Sequence, residues 1–225
     1  MQRFTRTKLL LGDSSFSCLS SGHVAVIGLG AVGGYVAEGL ARAGIGRLTL
    51  VDFDTIHLSN INRQLLALES TVGMPKASVA KERILKINPA CRADALDLFA
   101  DSETIEQIIS EKPDVIIDAI DSLNPKVQTL TAAVKNDITV FSSMGAALRT
   151  DPAHVKTGDI SKTRYCPLAR RLRKRLKTHG ISSGIFCVYS TEPVDFNYQP
   201  PVIDENETNP LAKRGRKRVT LGSLP

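Results

Sequence analysis

The chain is expected to adopt an α/β fold built on a doubly wound, mainly parallel sheet, and three observations predict it. The apolar run HVAVIGL at residues 23–29 ends in the glycine-rich turn GLGAVGG at 28–34, as a buried parallel strand does where it feeds a crossover helix. Short β-branched runs then alternate with segments of helical spacing as far as residue 144. The strongest later run, DVIIDAI at 114–120, carries carboxylates at its carboxyl end, where open sheets of this kind bind ligands.

Each element has its own warrant. A helix over 32–43 follows the glycine turn, and RLTLVD at 47–52, set off by Gly44 and Gly46, is the second strand. Strand, helix and strand in this order make a right-handed parallel crossover. KASVAKERILKIN at 76–88 places Val79, Ile84 and Ile87 near helical spacing, and Pro89 stops it. RADALDL at 92–98 reads as a strand, SETIEQIISE at 102–111 as a helix and DVIIDAI as a buried strand. Pro125 marks the first turn of a helix reaching Lys135, and ITVFSSM at 138–144 is a further strand. PLARRLRKRLKTH at 167–179 predicts a helix with Leu168, Leu172 and Leu176 on one stripe, and IFCVY around Cys187 is strand-like. The segment 193–225 holds five prolines with little apolar periodicity and reads as an irregular tail.

Composition bounds the function classes. A chain of 225 residues, 42% hydrophobic and 23% charged, can bury one substantial core. Cys18, Cys91, Cys166 and Cys187 are scattered without a C-x-x-C pair, which argues against a disulfide framework or a zinc ribbon and fits a reducing cytoplasm. The apolar patch at Leu9 to Leu11 is too brief for a signal segment, and no run approaches membrane-spanning length. The net charge of +6 is unevenly spread. Lys162, Arg164, Arg170, Arg171, Arg173, Lys174, Arg175 and Lys177 lie together with no acid among them, and Lys213, Arg214, Arg216, Lys217 and Arg218 form a second cluster. Those two clusters outweigh the net charge, so the rest of the chain is acidic.

The glycine turn is a phosphate cradle in its chemistry. Gly28 permits the turn, Gly30 the approach of phosphate to backbone, and Gly33 the packing of helix on strand, while the helix start offers unpaired N–H groups. Asp52 stands where a carboxylate takes ribose hydroxyls. These features serve NAD and ATP equally. Asn60, Arg63, Gln64 and Lys76 separate the two, because cations beyond the second strand suit a triphosphate that loses pyrophosphate, although each alone is compatible with a solvated surface charge. Past the strand at 114–120, Asp121 is the expected Mg²⁺ ligand in preference to Asp118, the alternative being a cap on the following helix. The cations of 167–179 fan away from the leucine stripe and suit RNA phosphates, the alternative being a solvated basic face. Cys166, beside that helix, and Cys187 are candidate nucleophiles, the alternative for each being a plain packing role.

Six motifs in order carry a family resemblance: Gly28-Leu-Gly-Ala-Val-Gly33, Asp52-Phe-Asp54, Ser59-Asn60-x-x-Arg63-Gln64, Val72-Gly-x-Pro-Lys76, Ile87-Asn-Pro89 and Asp118-Ala-x-Asp121. They resemble the E1-like superfamily of adenylating enzymes, whose nucleotide domain is Rossmann-like. The resemblance implies MgATP held by Gly28, Gly30, Gly33, Asp52, Asp54, Asn60, Arg63, Gln64, Lys76 and Asp121. It further implies catalytic roles for Arg63, Lys76 and Asp121, and a homodimer in which Arg6 reaches the partner's ATP. The remainder, including RFTRTKLLLG, SSMGAALRTDP, GDISKTRYCPLARRLRKRL and CVYSTEP, is similar to the branch that dehydrates threonylcarbamoyladenosine in tRNA. That branch implies ATP-dependent cyclisation of the threonylcarbamoyl group, with tRNA contacts by Arg164, Arg170, Arg171, Arg173, Lys174, Arg175 and Lys177, no zinc, and a sulfur-relay partner of the cysteine desulfurase type. It also implies a chain continuing past VTLGSLP with a glycine-containing apolar stretch and a last helix.

The expected organisation is an N-terminal arm at 1–22, an ATP-binding domain at 23–150, a basic RNA-contacting segment at 151–192 that completes the domain, and the tail at 193–225. Three other functions stay open on the sequence. They are activation of a ubiquitin-like or sulfur-carrier protein, a non-catalytic nucleotide-dependent RNA-binding role, and, more remotely, an NAD oxidoreductase, which leaves Arg63 and Lys76 unexplained.

Overall fold

The structure, a computed structural model, describes residues 2–194. Seven strands form one sheet: β1 (His23–Ile27), β2 (Arg47–Val51), β3 (Arg92–Leu96), β4 (Val115–Asp118), β5 (Thr139–Ser143), β6 (Val155–Asp159) and β7 (Phe186–Ser190). Their order is β3-β2-β1-β4-β5-β7-β6, parallel throughout except that β6 runs antiparallel to β7. The direction reverses about β1, so the crossover helices fall on both faces, as a doubly wound sheet requires.

The helices are α1 (Thr5–Ser21), α2 (Gly33–Ala43), α3 (Lys76–Ile87), α4 (Ser102–Ser110), α5 (Leu123–Lys135) and α6 (Pro167–Lys177). Two apolar clusters sandwich the sheet. Val24, Val26, Leu48 and Leu50 point to the face that also buries Ala37 and Ala41 of α2 and Ala77 and Ile84 of α3. Ala25, Ile27, Ile116 and Val140 point to the other, against Leu130 and Ala133 of α5 and Leu172 and Leu176 of α6. Alternate residues of β1 therefore feed different clusters, which is the period-two consequence of a strand buried on both sides.

Expected elements recur with ends shifted by one or two residues, α5 with Pro125 in its first turn among them, and two findings were not anticipated. The N-terminal arm is helical, broken at Gly12, where φ is +79° and ψ is 163°. It offers little apolar stripe, since only Phe16 is buried while Leu9 and Leu10 are exposed, so its periodicity was hidden. α5 begins at Leu123, two residues before Pro125, whose ring fits the first turn because N–H groups there need no helical partner. β6 reads VKTGD and is mostly exposed, an edge strand with no alternation to mark it. The proline-containing tail from residue 195 onward and the second basic cluster, Lys213 to Arg218, lie outside the described residues. Among the described residues no helix is long and apolar enough to cross a membrane.

Candidate functional site

The carboxyl ends of β1, β2 and β4 converge on the glycine turn. Gly28 has φ +90°, and a Cβ there would stand 2.9 Å from Ala119 O, so the turn lies directly on the residue after β4. A Cβ on Gly33 would sit 1.7 Å from Gly28 O, which no side chain permits. Around Gly30 the nearest atom to such a Cβ is the Gln64 amide nitrogen at 3.8 Å, leaving the backbone open to a ligand. The first turn of α2 has neither a capping side chain nor an acid, so its leading N–H groups face the same opening.

Asp52, one residue past β2, acts on the turn itself. Its Oδ2 accepts from Leu29 N at 2.7 Å and its Oδ1 from Asp54 N at 2.9 Å. Burial holds this carboxyl above the ordinary aspartate range, while the Lys76 charge and the two N–H donors pull the other way. The sequence pointed to ribose; the geometry adds that Asp52 ties the loop after β1 to the loop after β2. Asp54 grips Lys76, with Nζ 2.7 Å from Oδ2 and the lysine side chain almost fully buried. A backbone bond from Lys76 N to Asp54 O and the bridge between Thr55 and Pro75 bring the start of α3 beside the loop.

The intervening residues line the same loop. Asn60 is buried, and its Oδ1 accepts from His57 N. Gln64 is also buried, with its N–H bonded to Asn60 O, yet its Oε1 has no hydrogen-bond partner among the described residues. A buried amide oxygen left unpaired costs about 1–3 kcal/mol, and beside an open glycine loop it fits a polar ligand. Arg63 donates from Nη1 to Ser59 O and Asn62 Oδ1, which turns its guanidinium over the loop surface.

The two aspartates after β4 separate in role. Asp118 is wholly buried, with Oδ2 2.7 Å from Lys126 Nζ and 2.6 Å from Ser142 Oγ, and its Oδ1 accepts from Ile120 N. Lys126 also donates to Ile120 O at 2.9 Å, so this pair fastens the loop that leads to Asp121. Asp121 is exposed past the strand end, and the capping position of α5 falls to Ser122 instead. One exposed carboxylate beside a phosphate cradle is the donor set that suits Mg²⁺, which takes one or two carboxylates and completes its shell with phosphate and water. Lys126 was missed because a lysine at the fourth position of a helix resembles surface charge. The available signal was its +4 and +7 spacing to Leu130 and Ala133, which puts it on the inward stripe.

α6 starts at this same edge and presents its cations outward. Ala169, Leu172 and Leu176 are buried, Leu168 is only half-buried, and Cys166 caps the helix with Sγ accepting from Ala169 N at 3.5 Å. Arg164, Arg170, Arg171, Lys174, Arg175 and Lys177 are exposed. Arg173 instead turns inward and donates to the carbonyl and hydroxyl of Thr163. Burial pushes the Cys187 thiol up to about 12, and Cys166 is buried as well, so neither is presented as a nucleophile. Arg6 is exposed on α1. An apolar groove of about 560 Å³, between the end of α1, the starts of β1 and β4, and Phe141, contains none of the predicted site residues.

Comparison with known proteins agrees with this layout. The ThiF family matches residues 4–193. The chain is 43% identical over 192 residues to the tRNA threonylcarbamoyladenosine dehydratase of Bacillus subtilis, covering 85% of this chain and 76% of that protein. The crystal structure of E. coli tRNA N6-threonylcarbamoyladenosine dehydratase in complex with ATP superposes with a TM-score of 0.84 at 39% identity, covering 87% of this chain and 84% of that one. A molybdopterin-synthase adenylyltransferase of E. coli is more distant, 33% identical over 67% of this chain and 60% of its own length.

Proposed function

The chain belongs to the ThiF family, and on that premise we propose that it is an ATP-dependent tRNA threonylcarbamoyladenosine dehydratase. The carboxylate of the threonyl group attacks the α-phosphorus of ATP. The bond to the β-phosphate breaks, and pyrophosphate leaves. The mixed anhydride is then attacked by the neighbouring urea of the same nucleoside, which loses a proton as the acyl bond to AMP breaks. Proximity within one nucleoside supplies what an enzyme nucleophile supplies elsewhere, so no covalent enzyme intermediate is needed.

The protein's part is placement and charge. The glycine turn and the start of α2 hold phosphates, Asp52 fixes the turn and meets the ribose, and Gln64 offers its unpartnered oxygen. Arg63 and Lys76 oppose charge that builds on the leaving pyrophosphate, with Lys76 steered by Asp54. Mg²⁺ bound at Asp121 would neutralise phosphate charge. The exposed cations of α6, together with Arg164, hold tRNA phosphates. The same reading takes the protein as a cytoplasmic homodimer in which Arg6 of each copy approaches the other's nucleotide, assisted by a sulfur-relay partner of the cysteine desulfurase type.

One observation carries the reading. Likeness to the Bacillus subtilis dehydratase extends over 85% of the chain, beyond what a shared nucleotide domain alone requires, whereas likeness to the adenylyltransferase stops at 67%. The test incubates the protein with MgATP and tRNA bearing threonylcarbamoyladenosine and follows AMP together with the nucleoside mass. Formation of AMP and loss of one water from the nucleoside are expected. Arg63→Ala or Asp121→Ala should abolish turnover and leave tRNA binding intact. AMP formation driven by a protein ending in Gly-Gly, with tRNA inert, would replace this reading with carrier-protein activation.

A further inference from the structure

Tyr165 has no part in the chemistry above, yet its setting is unusual. It directly precedes the cap of α6, is 71% exposed, and has φ +56°. Bulky aromatic residues adopt that left-handed backbone only where their surroundings impose it, and glycine or asparagine is the ordinary occupant. Arg149 imposes it. Its Nη2 donates to Tyr165 O at 2.9 Å, while Nη1 donates to Ser190 O at 2.8 Å and Glu192 O at 2.7 Å.

A packing role does not account for the ring. A residue just outside a helix start commonly staples its side chain onto the first turn, which hides it from water, and Tyr165 remains in solvent. Its position is informative instead. β7 runs parallel to β5, β4 and β1, so Ser190 and Glu192 lie past the carboxyl edge that carries the glycine turn and Asp121, and Arg149 holds Tyr165 there. Strands are spaced about 4.8 Å apart, so β7 lies roughly 10 Å across that edge from β4. Arg164 adjoins Tyr165 in the chain, and Arg170 and Arg171 follow within the first turns of α6, all three exposed. An aromatic face set in a cationic track is the arrangement by which proteins hold unpaired bases.

We propose that Tyr165 is a stacking platform for an unpaired base of the tRNA, next to the nucleoside that is adenylated. The proposal rests on the dehydratase reading and assigns part of its tRNA contact to one aromatic ring. Arg149 is the positioning residue that holds the ring outward.

The sequence contains no tryptophan, so Tyr165→Trp creates a single fluorescent reporter at the site. Titration with tRNA should quench it along the binding curve of the parent protein. Tyr165→Phe should bind tRNA as the parent does, whereas Tyr165→Ala and Tyr165→Gly should bind about 5- to 100-fold more weakly. The salt dependence should keep its slope, because no phosphate contact is removed. Tyr165→Gly should also unfold at the same or a higher urea concentration than the parent, since glycine relieves the backbone, so weak binding cannot be ascribed to a damaged fold. An unquenched tryptophan, or parent-like binding by the alanine and glycine variants, overturns the proposal and leaves the dehydratase reading standing. A parent protein that binds no tRNA at all overturns both.

Discussion

Replacing Lys126 by methionine should be among the costliest single changes available to this chain. Both Lys126 and Asp118 are fully excluded from water, with Nζ 2.7 Å from Oδ2, and methionine keeps most of the stem while deleting the ammonium. Asp118 then retains only the Ser142 hydroxyl and the Ile120 N–H, both neutral donors, and Ile120 O loses its donor. Breaking such a pair from one side costs about 3–5 kcal/mol, because an uncompensated charge is left inside. With a slope of about 2 kcal/mol/M for urea, the unfolding midpoint should fall by around 2 M. Asp118→Asn in the same chain removes the stranded charge while keeping an acceptor for Ser142, and should recover at least half of the loss. Equilibrium urea unfolding of the parent, the single variants and the double variant measures the coupling directly. A loss below about 1 kcal/mol for Lys126→Met, or a double variant no more stable than the single, would refute the claim that the pair is mutually dependent.

The remaining predictions concern the glycine turn, one surface carboxylate and the thiols. Gly30→Ala should fold normally and lose ATP affinity by isothermal titration, because the added methyl meets only the Gln64 amide, whereas Gly33→Ala should lower the melting temperature, since its methyl falls 1.7 Å from Gly28 O. Glu38 is held below the ordinary glutamate range by its hydrogen bond from Arg83 and a second from Arg42, against the opposing pull of burial. A depressed carboxyl contributes stability that is complete above its unfolded pKa and is lost as pH falls through the folded value. Glu38→Gln should therefore be less stable than the parent at neutral pH and converge with it in acid, as followed by urea midpoints. Cys187→Ala should retain turnover within about twofold in the AMP assay, since burial pushes that thiol up to about 12 and leaves no thiolate to react.

Much of this architecture was legible in the sequence because the parallel strands are buried on both faces and so read as unbroken apolar runs. HVAVI, RLTLV and VIID became β1, β2 and β4, and the glycine turn fell where Gly28 and Gly33 demanded it. What escaped lacked that signature. β6 is an exposed edge whose pairing is supplied by β7 rather than by its own side chains. α1 is held by Phe16 against Phe4 and carries no stripe. In the site, Asn60, Arg63, Gln64 and Lys76 were legible as a set, but the Asp54 grip on Lys76 and the Asp52 bonds to Leu29 and Asp54 are relations between segments that spacing alone does not specify. Arg173 counted as one more cation until its contact with Thr163 turned it inward.

The strand order has a consequence for how the chain matures on the ribosome. Among the described residues β7 is the last strand to be made, yet it occupies an interior place between β5 and β6. Until residue 190 has emerged, β5 presents a raw edge carrying Phe141, and β6 has nothing to pair with. Nascent chains expose such edges to neighbours, which is where misassembly begins. A pause during synthesis before β7 appears should therefore be more hazardous than one after it, and chaperone demand should concentrate in that interval.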